Sequence, residues 1–123
     1  MTQQSKKTLV IGASDNPGQY SYLAMNQLRS HGHPVLAIGR KKTKVGDIGI
    51  DTVKSNFPDI DTVTLYVNPR IQKEYYDYIL SLKPRRIIFN PGTENEELAD
   101  MARAHGIEPM EACTLVLLST GQF

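Results

Sequence analysis

Short apolar runs alternate with helical stripes along most of this chain, and that alternation constrains its fold more than any other feature. Leu9-Val-Ile11 opens the series, followed by Val35-Leu-Ala-Ile38, Thr62-Val-Thr-Leu-Tyr-Val67 and Arg86-Ile-Ile-Phe-Asn90. These runs are mostly apolar or β-branched, as in strands covered on both faces. Between them lie residues at helical spacing. Leu23, Ala24, Gln27, Leu28 and His31 predict a helix over Tyr20–Ser30 that stops at Gly32. Ile71, Tyr75, Tyr78, Ile79 and Leu82 form a stripe that predicts a helix over Arg70–Leu82, ended by Lys83-Pro84. A further helix runs from a cap at Thr93 or Asn95 to about His105, with Glu94, Glu96 and Glu97 near its positive end. Ile107–Met110 begins another strand, and Cys113–Leu118 fits either a strand or a helical turn. Thr43–Pro58 reads as irregular, with a brief extended piece at Val45, Ile48 and Ile50 and a short helical turn over Asp51–Asn56. The order β-α-β-(irregular)-β-α-β-α-β shows no tight hairpin signal. It predicts an α/β fold with a doubly wound, mainly parallel five-stranded sheet in a single three-layer α/β/α domain.

Composition narrows the function. The chain has 123 residues, which suits one domain over 1–123. A net charge of +1 argues against nucleic acid or a membrane surface as partner. No apolar run is long enough to span a bilayer, and Met1-Thr-Gln-Gln-Ser-Lys-Lys7 lacks the apolar core of a secretory signal. A single cysteine rules out an intramolecular disulfide and points to the cytoplasm. The scattered histidines and Cys113 show no metal-ligand spacing, so no metal site is expected.

In an open α/β sheet the ligand crevice lies outside the carboxyl ends of the strands. Here those ends are Gly12-Ala-Ser14, Gly39-Arg-Lys-Lys42, Asn68-Pro69 and Asn90-Pro-Gly92. Taken singly, each reads as a turn, and the basic one as a solvated loop. Their convergence on one edge makes them a candidate site. The small residues after strand one let a ligand approach the backbone, and the following helix start presents N–H groups that suit a phosphate. A dinucleotide fingerprint would need glycine at Ser14, and an NAD site would need a carboxylate after strand two. Arg40-Lys-Lys42 stands there instead. A cationic loop favours a phosphate carried on the ribose, as in NADP or coenzyme A.

Val10-Ile-Gly-Ala-Ser14, the basic turn after strand two, Tyr66-Val-Asn-Pro69, Phe89-Asn-Pro-Gly92 before an acidic helix start, and Glu111-Ala-Cys-Thr-Leu115 occur in that order. Together they resemble the coenzyme A-binding domain family. More narrowly, the chain resembles the small stand-alone bacterial CoA-binding proteins, whose domain is similar to the N-terminal domain of the succinyl-CoA synthetase α subunit. The resemblance implies a Rossmann-like, nucleotide-binding fold with CoA across the strand ends. Gly12, Ala13 and Ser14 would then line the diphosphate, with Ser21 as a hydroxyl donor. Gly39, Arg40, Lys41 and Lys42 would meet the 3′-phosphate and adenosine side. Val67, Asn68 and Pro69 would border adenine or ribose, and Asn90, Pro91 and Gly92 the pantetheine arm. Two positions depart from the family pattern. The turn at Gly39-Arg40-Lys41 has no proline, and Asp15 would repel a phosphate unless it points away.

Chemistry beyond binding finds little support in these residues. The synthetase relies on a phosphorylated histidine in a second domain and on a partner subunit, and neither has a counterpart here. His31 and His105 read as helix-end cations and His33 as a loop residue, all away from the site. Cys113 reads as an inert buried thiol or, alternatively, as a thiol placed to form a mixed disulfide with CoA. Tyr75 and Tyr78 read as core, while Tyr20 and Tyr22 stay open. The leading reading is a module that binds CoA or acyl-CoA for sensing or delivery, with no catalytic residue assigned and any protein partner unidentified. The alternatives are a small NADP-binding reductase, a component of a split acyl-CoA synthetase, and an interaction protein that has lost the ligand.

Overall fold

The structure is a computed structural model that describes residues 5–123; the polar stretch Met1–Gln4 of the leader reading lies outside the described residues. The strands are β1 (Thr8–Ala13), β2 (Val35–Gly39), β3 (Thr43–Val45), β4 (Ile48–Asp51), β5 (Thr62–Leu65), β6 (Arg86–Phe89) and β7 (Glu108–Glu111). The helices are α1 (Tyr20–Ser30), α2 (Pro69–Gln72), α3 (Tyr76–Leu82), α4 (Glu96–Ala104) and α5 (Thr114–Ser119), with a 3-10 turn over Lys73–Tyr75. The strands form one sheet in the order β3-β4-β2-β1-β5-β6-β7. Every pairing is parallel except β3 with β4. Among the described residues no helix is long and apolar enough to cross a membrane.

The parallel α/β expectation holds, but the sheet has seven strands rather than five. The two extra strands come from the stretch read as irregular. Val45 pairs with Ile48 across a two-residue Gly46-Asp47 turn, and Gly46 alone of the two takes positive φ, +59°. That is the geometry of a tight hairpin turn beginning with glycine. The hairpin buries Val45, Ile48 and Ile50. Asp51–Asn56 forms no helical turn. Asp51 Oδ1 accepts from the N–H of Thr52, and Tyr78 Oη donates to the carbonyl of Ser55, which holds the segment open.

Strand alternation sends side chains to two cores. Leu9, Ile11, Val63, Leu65, Ile87 and Phe89 pack with Ile79 of α3 and Leu98 of α4. Val10, Ala37 and Ile88 pack with Met25 and Leu28 of α1 and Leu118 of α5. The helix expected over Arg70–Leu82 is interrupted by the 3-10 turn. Gln72, fully buried just before the break, explains it: its amide donates to the carbonyls of Val67 and Thr93, each at 2.8 Å. Holding those partners fixes the first turn, and the tighter 3-10 step re-aims the chain so that Ile79 and Leu82 still reach the core. Asn95, not Thr93, caps α4 by accepting from the N–H of Leu98. The ambiguous stretch near Cys113 is α5.

At the amino ends of the strands lies a polar cluster. His33 is buried; its Nδ1 accepts from the N–H of Lys6, and its Nε2 has no partner among the described residues. Its ring centroid lies 4.8 Å from that of Phe123, and the Arg86 guanidinium lies 4.4 Å from the Phe123 centroid. Burial holds the His33 imidazole below its usual pKa, and nearby Lys6, His31 and Arg86 act in the same direction against Asp61. The unfolded state therefore binds more protons as pH falls through the ordinary histidine value. Stability from neutral His33 is complete above about pH 7.5 and is lost as pH drops through 6.5 towards the lowered folded value, by at most about 1.4 kcal/mol per pH unit. Urea unfolding between pH 8 and 5.5 checks this. The decline should flatten in His33→Gln, and an identical slope in that variant refutes the assignment.

Candidate functional site

Two glycines set the site's geometry. Gly12 has φ +92°, and a Cβ there would sit 2.8 Å from Val67 Cγ1 and 2.9 Å from the main chain of Tyr66. A Cβ on Gly39 would lie 2.4 Å from the carbonyl oxygen of Ala13. The bare sides of both glycines thus face protein, and what they permit is the close approach of β1, β2 and β5. The sequence expectation that Gly12 is bare for a ligand is corrected to that extent. Because β2 and β5 flank β1, the chain winds away in both directions there, and a crevice opens at the strand ends.

This crevice is a cleft of about 870 Å³. It is lined by Gly12, Ala13 and Ser14 at the end of β1, by Gly39, Arg40 and Lys41 at the exit of β2, and by Val67 and Asn68 in the loop after β5. These sequence candidates come together. Others do not. Ser21 is buried in the first turn of α1, and Lys42, Pro69, Asn90, Pro91 and Gly92 are not among the lining residues. Asp15, Asn16, Gln19, Thr43, Tyr66, Ile71, Glu74 and Tyr75 also line it, none of them named beforehand as ligand contacts. The spacing of Ile71 and Tyr75 was the available signal for the far wall, although Tyr75 reads from the stripe as core alone. It packs against the core and also faces the cleft, with Lys54 Nζ 4.9 Å from its ring centroid.

The β1–α1 turn supports itself. Ser14 Oγ accepts from the N–H of Asn16, whose Oδ1 accepts from the N–H of Gly18. Gln19 stands at the N-cap of α1 without a side-chain hydrogen bond to the helix. The positive end of α1 therefore starts at the cleft wall without a side-chain cap. Asp15 does not stand unpaired in the cleft. Its Oδ2 accepts from Thr43 Oγ1 at 2.9 Å and lies 3.3 Å from Lys41 Nζ. The Thr43 hydrogen bond, followed by Lys41, holds its carboxyl below the ordinary value, so it is ionised at neutral pH. Asn68 caps α2 by accepting from the N–H of Ile71, with Pro69 at the first helical position.

The β6 end is built differently. Asn90 is buried, and its amide donates to Thr64 Oγ1 at 2.7 Å and to the carbonyl of Leu65 at 2.8 Å. Its Oδ1 accepts from the N–H of Thr114 at 2.9 Å, the start of α5. Thr64 and Thr114 share a further hydrogen bond. Tyr66 lies beside this group, and burial pushes its hydroxyl up to about 12. Cys113 is the partly exposed N-cap of α5 and does not line the cleft. Asn90 is thus a hub joining β5, β6 and α5. Replacing Asn90 with Ala should cost about 2–4 kcal/mol by leaving buried partners unsatisfied, measured by urea unfolding. Wild-type stability in that variant would show that the hub carries no weight.

Comparison with known proteins adds to this geometry. A crystal structure of an uncharacterized protein aligns with TM-score 0.96 at 51% identity, covering 98% of this chain and 100% of its own. A hypothetical protein from Pyrococcus horikoshii OT3 aligns with TM-score 0.85 at 24% identity over 95% of this chain and 84% of its own. A Thermus thermophilus protein aligns with TM-score 0.82 at 18% identity over 97% and 91%. The latter two show a shared fold. The sequence matches the CoA binding domain family over residues 6–119, nearly its whole length, and the chain belongs to that family.

Proposed function

We propose that the protein binds coenzyme A, free or acylated, in the cleft at the ends of β1, β2 and β5, as a non-catalytic module for sensing or delivery. One observation carries the reading: Arg40 and Lys41 line the cleft at the strand-two position where an NAD site needs a carboxylate. In this reading the nucleotide half of CoA lies at the switch point, the usual ligand position in a Rossmann-like arrangement. The diphosphate takes the β1–α1 turn and the start of α1, where N–H groups and the helix dipole favour an anion. The 3′-phosphate takes Arg40 and Lys41, with Lys42 beyond the cleft lining. Val67, Ile71 and Tyr75 offer an apolar wall for adenine. The Asn90-Pro-Gly92 rim, outside the cleft, is the side towards which the pantetheine arm leaves. The open cleft favours retained binding over a scaffold whose crevice has filled with side chains.

Isothermal calorimetry with CoA, dephospho-CoA and NADPH tests this. CoA should bind at least about tenfold more tightly than dephospho-CoA, the scale of one charge-assisted hydrogen bond. Equal affinities would remove the role of the basic loop, and binding of NADPH without CoA would favour the reductase alternative. Arg40→Gln should weaken CoA several-fold, with a smaller loss for dephospho-CoA.

A further inference from the structure

Asp15 places a carboxylate on the wall of a cleft read as a phosphate site, and that placement needs a reason. It belongs to the β1–α1 turn, whereas its partners Lys41 and Thr43 belong to the exit of β2 and the start of β3. The contact bridges the two loops to which the CoA reading assigns phosphate groups. An oxyanion of the protein therefore already sits on donors that a ribose-borne phosphate would use. The pair is weakly held, since the Lys41 side chain is 70% exposed and that of Asp15 is 32% exposed. A phosphate monoester has close to two negative charges and three acceptor oxygens. A carboxylate has one charge and two oxygens. The monoester outcompetes Asp15, whereas a singly charged group gains little by replacing it.

We infer that Asp15 is a resident counter-anion, holding Lys41 and Thr43 and yielding them to a dianionic phosphate monoester. This inference rests on the CoA reading. The exchange breaks no covalent bond and moves no proton. It raises the threshold for weak anions on a loop whose other cations, Arg40 and Lys42, form no ion pair among the described residues.

Calorimetric titration of CoA and dephospho-CoA into the wild type, Asp15→Asn and Asp15→Ala tests the exchange, with the melting temperature of each protein as a check on folding. Both variants should bind CoA about fivefold more tightly, the scale expected for removing one nearby like charge. The gain for CoA should exceed that for dephospho-CoA by about threefold or more. The alanine variant is needed because asparagine brings an amide donor of its own. Weaker CoA binding in both variants, equal gains for the two ligands, or a gain confined to asparagine overturns the exchange and leaves the CoA reading standing. Failure of both ligands to bind any of the three proteins overturns the CoA reading and the exchange with it.

Discussion

Main chain grips β1 on both sides at its carboxyl end, and the site depends on that grip. The N–H of Tyr66 donates to the carbonyl of Ile11 on one side, and Gly39 crowds the carbonyl of Ala13 on the other. Side chains at positions 12 and 39 would each require backbone to move. Leu9, Val10 and Ile11 are fully buried behind this point, so the strand has no free face on which to relieve such a shift. The two glycines therefore fix how far apart the loops after β1, β2 and β5 emerge. The cleft is the space those three loops leave between them, and its lining follows from their spacing.

The strand-end rim then divides in two. At the β1, β2 and β5 side, charged and small residues face a cleft. At the β6 side, polar groups are spent on the protein itself: Asn90 ties Thr64, Leu65 and Thr114 together, and Gln72 ties Val67 to Thr93 while accepting from Asn95. A buried amide with its partners supplied orders the elements around it, whereas an unpaired one would destabilise them. The closed half thus gives the open half a firm backing. Val67 illustrates the coupling, since its carbonyl belongs to the Gln72 bridge while the residue lines the cleft.

Much of this was legible because strand signals in a parallel sheet are local. Val10, Val63 and Ile87 lie in short β-branched runs, and turn residues mark where each strand ends. Helices α1 and α4 follow from their spacing and stops. The hairpin was not legible, because β3 and β4 are three and four residues long and alternate too briefly to show a period. The interruption at Lys73–Tyr75 was hidden for another reason. It depends on Gln72 meeting Thr93, a partner 21 residues away, which no local pattern records. The same holds for the site. Ser14, Arg40 and Asn68 announce themselves as strand-end residues. Thr43 and Tyr75 reach the cleft only through the hairpin and the re-aimed helix. Of the three Asn-Pro pairs, Asn68-Pro69 and Asn90-Pro91 both mark strand ends, yet the asparagine of one caps a helix and that of the other is a buried hub. Sequence assigns the turn in both cases; packing decides what the side chain does.

Net charge conceals how charge is arranged here. A total of +1 looks nearly neutral. Yet Arg29 pairs with Asp47, Arg85 with Asp61 and Glu108, and Arg103 with Asp100. At the amino edge of the sheet, Arg86 and Lys6 are engaged with the main-chain oxygen of Phe123. Several cations elsewhere are thus engaged by the protein itself, while among the described residues the exit of β2 has Arg40 and Lys42 without ion pairs and Lys41 only loosely held by Asp15. Local excess at a concave edge counts for more in anion binding than the molecular total, because low-dielectric walls focus the field there. A nearly neutral chain can in this way hold a cationic loop at the rim of a crevice, placed by the strand order where the three loops part.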